Sequence, residues 1–221
     1  MGLEIITDGD SYTVTYKGKL TGSMMDMEDH IQQVVNDIGS GLTTQALNKL
    51  DTKGQPLQLA GINLTARHKT PKEYQTPYGM VRINRYVYQT SNGGKTYCPL
   101  DEAARIITSS TPRFAKIVSS KYVNHCAEGV KRDLETSQGR IVSRCYIQDL
   151  AETVGAMAGA AEETMDYEIP KLEDPVTTIA FSLDGTCMLM KDDGYREAMT
   201  GTIALWFSMI LNPRSLNPLR I

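Results

Sequence analysis

Aromatic residues are scarce in this chain, 7% of 221 residues with Trp 1 and Phe 3, so its cores must lean on Leu, Ile, Val, Met and Ala. Cysteines are few and far apart: Cys98, Cys126, Cys145 and Cys187. No pair has CxxC spacing, which leaves neither a redox dithiol nor a zinc ribbon, and free thiols in a reducing compartment are expected. His125 and Cys126 are adjacent and can in principle join Cys98 or Cys145 on zinc, but their spacing matches no zinc pattern. The start, Met1-Gly2-Leu3-Glu4, lacks a basic region followed by an apolar core. The longest apolar run, Ile203 to Leu211, falls far short of the roughly 18 residues of a spanning helix. The expectation is a cytoplasmic protein with no membrane partner.

What is present is ordinary in bulk and uneven in detail. Hydrophobic content of 41% and charged content of 22% suit one large globular domain or two small ones. From Arg67 to Arg144 there are fourteen Lys and Arg against six Asp and Glu; from Cys145 to Asp193 there are two against eleven. A basic middle beside an acidic distal region suits phosphate binding by one segment and metal or carboxylate chemistry in the next. Two solvated surfaces of opposite sign would give the same pattern.

Residues Tyr12, Val14 and Tyr16 alternate weakly between turns at Asp8-Gly9 and Lys17-Gly18, which predicts a small hairpin. Ser23 can cap a helix whose apolar face is Met24, Met27, Ile31, Val34 and Ile38. Gly39-Ser40-Gly41 is expected to interrupt it, with a second piece from Leu42 to Leu50. The face is short for a coiled-coil seam and suits packing within the chain. Residues 51 to 70 look like loop and short strand. Met80 to Gln89 alternates through Val81 and Ile83, with Tyr86 and Tyr88 continuing the apolar side, and the turn Ser91-Asn92-Gly93-Gly94 returns Lys95 to Cys98 as its partner.

From Thr111 the period changes to helical. Thr111-Pro112 starts the first helix, with Phe114, Ile117 and Val118 inward; Ala127, Val130 and Leu134 mark the second; Ser137-Gln138-Gly139 is the turn. Ser143 caps a third, with Ile147, Leu150, Val154, Met157 and Ala161 inward. Two short helices, a glycine turn and a longer third helix read as a helix-turn-helix. Arg144 and Gln148 share a face of the third helix, and both are residue types that read purine edges in a major groove. Arg113, Lys116, Lys121, Lys131, Arg132 and Arg140 are candidates for the surrounding phosphates. A plain three-helix packing unit with a solvated basic face fits the same pattern.

Tyr167 to Pro175, with two prolines, reads as a linker into a strand-like run, Val176 to Met190, with Asp184 in its middle. The turn Asp192-Asp193-Gly194 and a second run from Ala198 to Phe207 complete a hairpin signature. A carboxylate flanked by apolar and β-branched residues is costly to bury without a partner or a metal. An acid placed this way is typical of a metal-dependent nuclease or transferase sheet, whose chemistry needs two or three carboxylates around paired ions. Asp192, Asp193 and Glu197 read as turn residues rather than ligands.

Taken in order, these segments resemble a known family. Thr76-Pro77-Tyr78-Gly79-Met80-Val81-Arg82-Ile83 leads into Asn84-Arg85-Tyr86-Val87-Tyr88, and Gly93-Gly94-Lys95-Thr96-Tyr97-Cys98-Pro99-Leu100-Asp101 follows. Thr111-Pro112-Arg113-Phe114-Ala115-Lys116 opens the helical part, and Lys131-Arg132-Asp133-Leu134-Glu135 with Gly139-Arg140 comes at the turn. Ser182-Leu183-Asp184-Gly185-Thr186 and Arg196-Glu197-Ala198-Met199 close the set. The chain is similar over roughly residues 70 to 205 to the bacterial ISKra-type insertion-sequence transposases.

The resemblance implies a helix-turn-helix region followed by an RNase H-like catalytic domain with a DDE acidic triad. It makes Asp184 the first catalytic Asp and a metal ligand. Carboxylates would hold two divalent ions, Mg²⁺, that activate water for cutting transposon ends and then the freed 3′-hydroxyl for strand transfer. It implies a bacterial cytoplasmic protein whose partners are double-stranded DNA at transposon ends, a second copy, or a full-length transposase.

The implied class is α+β. An N-terminal helical region (1–70) and a small antiparallel β-sheet (71–104) precede the helix-turn-helix bundle (105–168). The first hairpin of a truncated RNase H-like domain (169–221) follows. The tail from Trp206 to Ile221 holds no Asp or Glu and two Asn-Pro pairs, and departs from the family. The expectation is a truncated, catalytically inactive transposase lacking the second and third carboxylates, or a DNA-binding competitor without catalysis; an interaction protein assembling through the Met24–Ile38 face is the third reading.

Overall fold

Alternation around Tyr12, Val14 and Tyr16 does produce a hairpin: β1 (Gly2–Asp8) pairs antiparallel with β2 (Ser11–Lys17) from Gly2↔Lys17 to Asp8↔Ser11. The computed structural model describes residues 2–166, 176–190 and 194–207. They form a mixed α+β fold with five helices and antiparallel sheets. The chain divides into two compact units, one up to Met165 and one from Asp166. No helix among the described residues is long and apolar enough to cross a membrane.

Helix α1 (Met24–Leu50) starts at a capping box in which Ser23 and Asp26 exchange side-chain and backbone hydrogen bonds. It then runs unbroken through Gly39-Ser40-Gly41, correcting the expected interruption. The reason lies in the fold. Gly39 is buried under Tyr78, and a Cβ there would overlap the Tyr78 ring. Glycine is less favourable than alanine in a helix by about 1 kcal/mol, which this close approach offsets. Gly39→Ala is expected to destabilise by about 1–3 kcal/mol through overpacking, read as a lower thermal midpoint. Its cost combined with Tyr78→Ala should be less than the sum of the single costs.

Strands β3 (Leu57–Leu59), β4 (Ile62–Gln75), β5 (Met80–Thr90) and β6 (Gly93–Tyr97) form one antiparallel sheet in that order. The expected short strand before residue 70 is the first half of the long β4, so the boundary expected at 70 falls inside a strand. Polar residues and Pro71 conceal the alternation there. Past Leu64, β4 pairs with β5 and no longer with β3, and proline is tolerated where one edge of a strand is open. A bulge between Ala66 and His68 shifts the register. On β5 the expected Val81 and Ile83 are buried with Val87, whereas Tyr86 and Tyr88 alternate onto the other face, where Tyr88 is buried with its hydroxyl bonded to Thr52 and the Gln55 carbonyl at 2.7 and 3.0 Å.

Below the sheet, α2 (Pro99–Ala103) inserts Leu100 beside Leu47, Tyr74, Val81 and Ile83. Tyr74 Oη donates to Asp101 at 2.5 Å, and Lys72 and Arg85 meet the other carboxylate oxygen at 3.2 and 3.5 Å. Burial, then the Asp101 carboxylate, push the Tyr74 hydroxyl far above the usual phenolic range, so it remains a donor.

A second core joins α3 (Pro112–Tyr122), α4 (Ala127–Gln138) and α5 (Arg144–Glu162) through Phe114, Val118, Val130, Leu134, Ile147 and Leu150. Val154 is half-buried, while Met157 and Ala161, expected inward, are exposed. At 1.5 Å per residue, the 11 and 12 residues of α3 and α4 are too short to cover the 19 of α5. In the second unit, β7 (Val176–Met190) and β8 (Gly194–Phe207) pair antiparallel as the hairpin signature predicts. The expected linker, the acids Asp192 and Asp193, and the tail from 208 onward lie outside the described residues.

Candidate nucleic-acid interface and the Asp184 hairpin

The three-helix unit places its candidate residues unequally. Ser143 caps α5 by accepting from the Tyr146 amide at 3.3 Å, and the first turn then turns Ile147 inward and Arg144 and Gln148 out to solvent. Gln148 donates to Glu152 at 2.8 Å, one helical turn on. On α3, Arg113 and Lys116 sit three residues apart and both are exposed. No carboxylate among the described residues lies within ion-pair distance of Arg113, Lys116 or Arg144. These three cations are open to an external anion.

The other cations are engaged. Lys121 pairs with Asp133 across α3 and α4. Lys131 and Arg132 lie 3.7 and 3.9 Å from Glu128 on their own helix. Such exposed pairs are worth about 0–1 kcal/mol and open readily to a phosphate.

Arg140 is a correction. It is 7% exposed and cannot meet a phosphate from its position. Gly139 ends α4 in the left-handed conformation (φ 62°), with the Gly139 and Arg140 amides donating to Glu135 and Leu134 carbonyls. That turn sends the Arg140 side chain inward. Its Nε donates to the Thr76 carbonyl at 3.2 Å and its Nη2 to Gln75 Oε1 at 2.7 Å, while the guanidinium lies 5.5 Å from the Phe114 ring centre. Burial lowers its pKa from the usual arginine value. Around it, Asn36 on α1 donates to the Gln138 carbonyl at 2.9 Å, the Gln75 amide donates to Ser109, and Thr111 donates back to Gln75. Helix, sheet and three-helix unit are thus tied at one joint. Sequence reasoning missed this role, although Arg140 directly after a turn glycine was a signal available for it.

Asp184 is in the middle of β7, opposite Thr200, and is exposed. Strand alternation puts it on a polar face with Ser182, Thr186, Thr200 and Thr202. The opposite face carries Ile179, Phe181, Leu183, Met199 and Ile203, each more than half exposed. Glu197 pairs in register with Cys187 and falls on that apolar side, away from Asp184. No group of three His, Cys, Asp or Glu side chains able to hold a metal occurs among the described residues, so His125, Cys126, Cys98 and Cys145 form no such site there. One carboxylate does not make a Mg²⁺ cage, and the described residues do not fit a two-metal centre. No protein-family model matches the chain, and no curated protein matches it.

Proposed function

We propose that the chain is a transposase-type DNA-binding protein whose α3–α5 unit is a helix-turn-helix for transposon-end duplex DNA. The carrying observation is the exposed pair Arg144 and Gln148 on the first turns of a capped helix, together with Arg113 and Lys116, which are exposed on α3 and have no carboxylate partner among the described residues. A helix start with a guanidinium and an amide four residues apart suits base edges, and neighbouring cations suit phosphates. Lys121, Lys131 and Arg132 are available for further phosphates once their ion pairs open; Arg140 is not. The resemblance to ISKra-type transposases names the DNA, and gives Asp184 the place of the first carboxylate on an RNase H-like sheet.

Binding without chemistry is the second reading, as in a competitor of a full-length transposase; Glu197 falling on the face opposite Asp184 supports it. Selection of the full chain against a random-sequence duplex pool, followed by titration across a salt series, tests the binding. Enrichment of a defined site, with affinity falling steeply as salt rises, is the expected outcome. A flat salt dependence with no enriched site refutes the reading. With Mg²⁺ the purified chain is expected to leave supercoiled DNA carrying that site intact. Nicking that Asp184→Asn abolishes would overturn the reading without chemistry.

A further inference from the structure

Between Arg67 and Lys95 the chain carries Arg67, Lys69, Lys72, Arg82, Arg85 and Lys95 against a single acid, Glu73. The sheet divides them. Lys72 and Arg85 point inward and share Asp101. On the outward face of β4 and β5 the register sets Lys69 opposite Tyr86, Pro71 opposite Asn84 and Glu73 opposite Arg82. Lys69, Arg82 and Asn84 are exposed, while residues 52 to 55 lie against Tyr86 and Tyr88 farther along the same face of β5. Lys69 Nζ rests 4.7 Å from the Tyr86 ring centre, and Arg67, at the bulge, donates to the Thr90 carbonyl at 2.8 Å. Among the described residues, no carboxylate lies within ion-pair distance of Arg67, Lys69 or Arg82.

We propose that this outward β4–β5 face is a second contact for the sugar-phosphate backbone of duplex DNA. The inference rests on the reading that the chain binds duplex DNA through α5. Charge complementarity selects the occupant, because unpaired cations and an amide line an open sheet that holds one carboxylate. Arg82 lies opposite Glu73, four residues along β4 from Lys69, which at about 3.3 Å per residue is about 13 Å. That distance matches about four phosphates of one strand, at about 3.4 Å each along the duplex axis. A pleated strand holds its cations at fixed spacing, so ordering them on the backbone costs less than ordering a loop. The Arg140 joint ties this sheet to the three-helix unit, so a contact by one surface raises the local concentration of DNA at the other.

Anisotropy of the full chain on a labelled random-sequence duplex, repeated across a salt series, tests the proposal. Lys69→Gln with Arg82→Gln should weaken binding about tenfold and make the salt slope shallower by about 1.8, since each lost phosphate contact removes about 0.9. Glu73→Gln should tighten binding about twofold by removing the one repulsive charge on the face. That gain cannot arise from misfolding, and circular dichroism checks the double variant. An unchanged slope in the double variant, with no gain from Glu73→Gln, overturns the proposal, while an effect of Arg144→Ala in the same assay leaves the helix reading standing. Sheet variants that act while Arg144→Ala and Gln148→Ala do nothing would sink the helix reading and keep the sheet contact. A wild-type chain with no affinity for duplex, or losses seen on single-stranded RNA alone, would end the proposal outright.

Discussion

Arg140→Ala is expected to cost about 3 kcal/mol, because it removes two charged hydrogen bonds and a desolvated cation–π contact from inside the fold. The partners make the cost unavoidable. Thr76 is buried, and its carbonyl loses the Nε donor at 3.2 Å; Gln75 Oε1 loses the Nη2 donor at 2.7 Å. The Phe114 ring, fully buried, also loses the guanidinium 5.5 Å from its centre. For a unit of this size the loss corresponds to a fall of about 6–12 °C in thermal midpoint, measured by calorimetry. Arg140→Lys should fare little better, since a lysine cannot supply two donors in a planar fork. The same variants distinguish the joint from a phosphate contact. At a temperature where Arg140→Ala is still folded, its DNA salt slope should equal that of the wild type. A shallower slope with an unchanged midpoint would return Arg140 to the DNA-binding set.

The joint also shows where sequence legibility stops. Helices α3, α4 and α5 could be read because Phe114, Val118, Val130, Leu134, Ile147 and Leu150 repeat at helical spacing and end up in one core. The caps at Ser23 and Ser143 were legible because capping is local chemistry. So were the β7–β8 hairpin and the start of β5. What could not be read depends on partners far along the chain. Gly39 continues a helix because Tyr78 lies on it. Arg140 is buried because Gln75 and Thr76 wait for it 65 and 64 residues away. β4 hides its alternation because its inward positions Thr70 and Lys72 are polar themselves, Lys72 being held by Asp101 far along the chain. The apolar neighbours of Asp184 along the strand point to the other face, so the acid escapes the cost of burial and stands in solvent. Sequence pattern thus identified the elements, and long-range contacts decided which charges were used within the fold and which stayed exposed.

The charges left over make the second large prediction. Arg144→Ala and Gln148→Ala should each lower affinity for a selected duplex by about 1–3 kcal/mol, the worth of one good base-edge contact. Affinity for unselected duplex should change far less for Gln148→Ala, which removes no charge. The selectivity ratio therefore collapses while backbone binding persists, and competition of selected against unselected duplex reads it directly. Lys116→Gln should do the reverse, weakening both duplexes alike and reducing the salt slope by about 0.9. Gln148 must first release Glu152, its partner at 2.8 Å. Glu152→Gln should therefore tighten binding modestly, by removing a negative charge near the groove and relaxing the hold on Gln148. If Gln148→Ala and Lys116→Gln gave the same slope change and left the selectivity ratio intact, the α5 face would be a general polyanion surface rather than a reader of sequence. The transposon-end assignment would then fall with it, because a transposase must find its own ends among a large excess of other DNA.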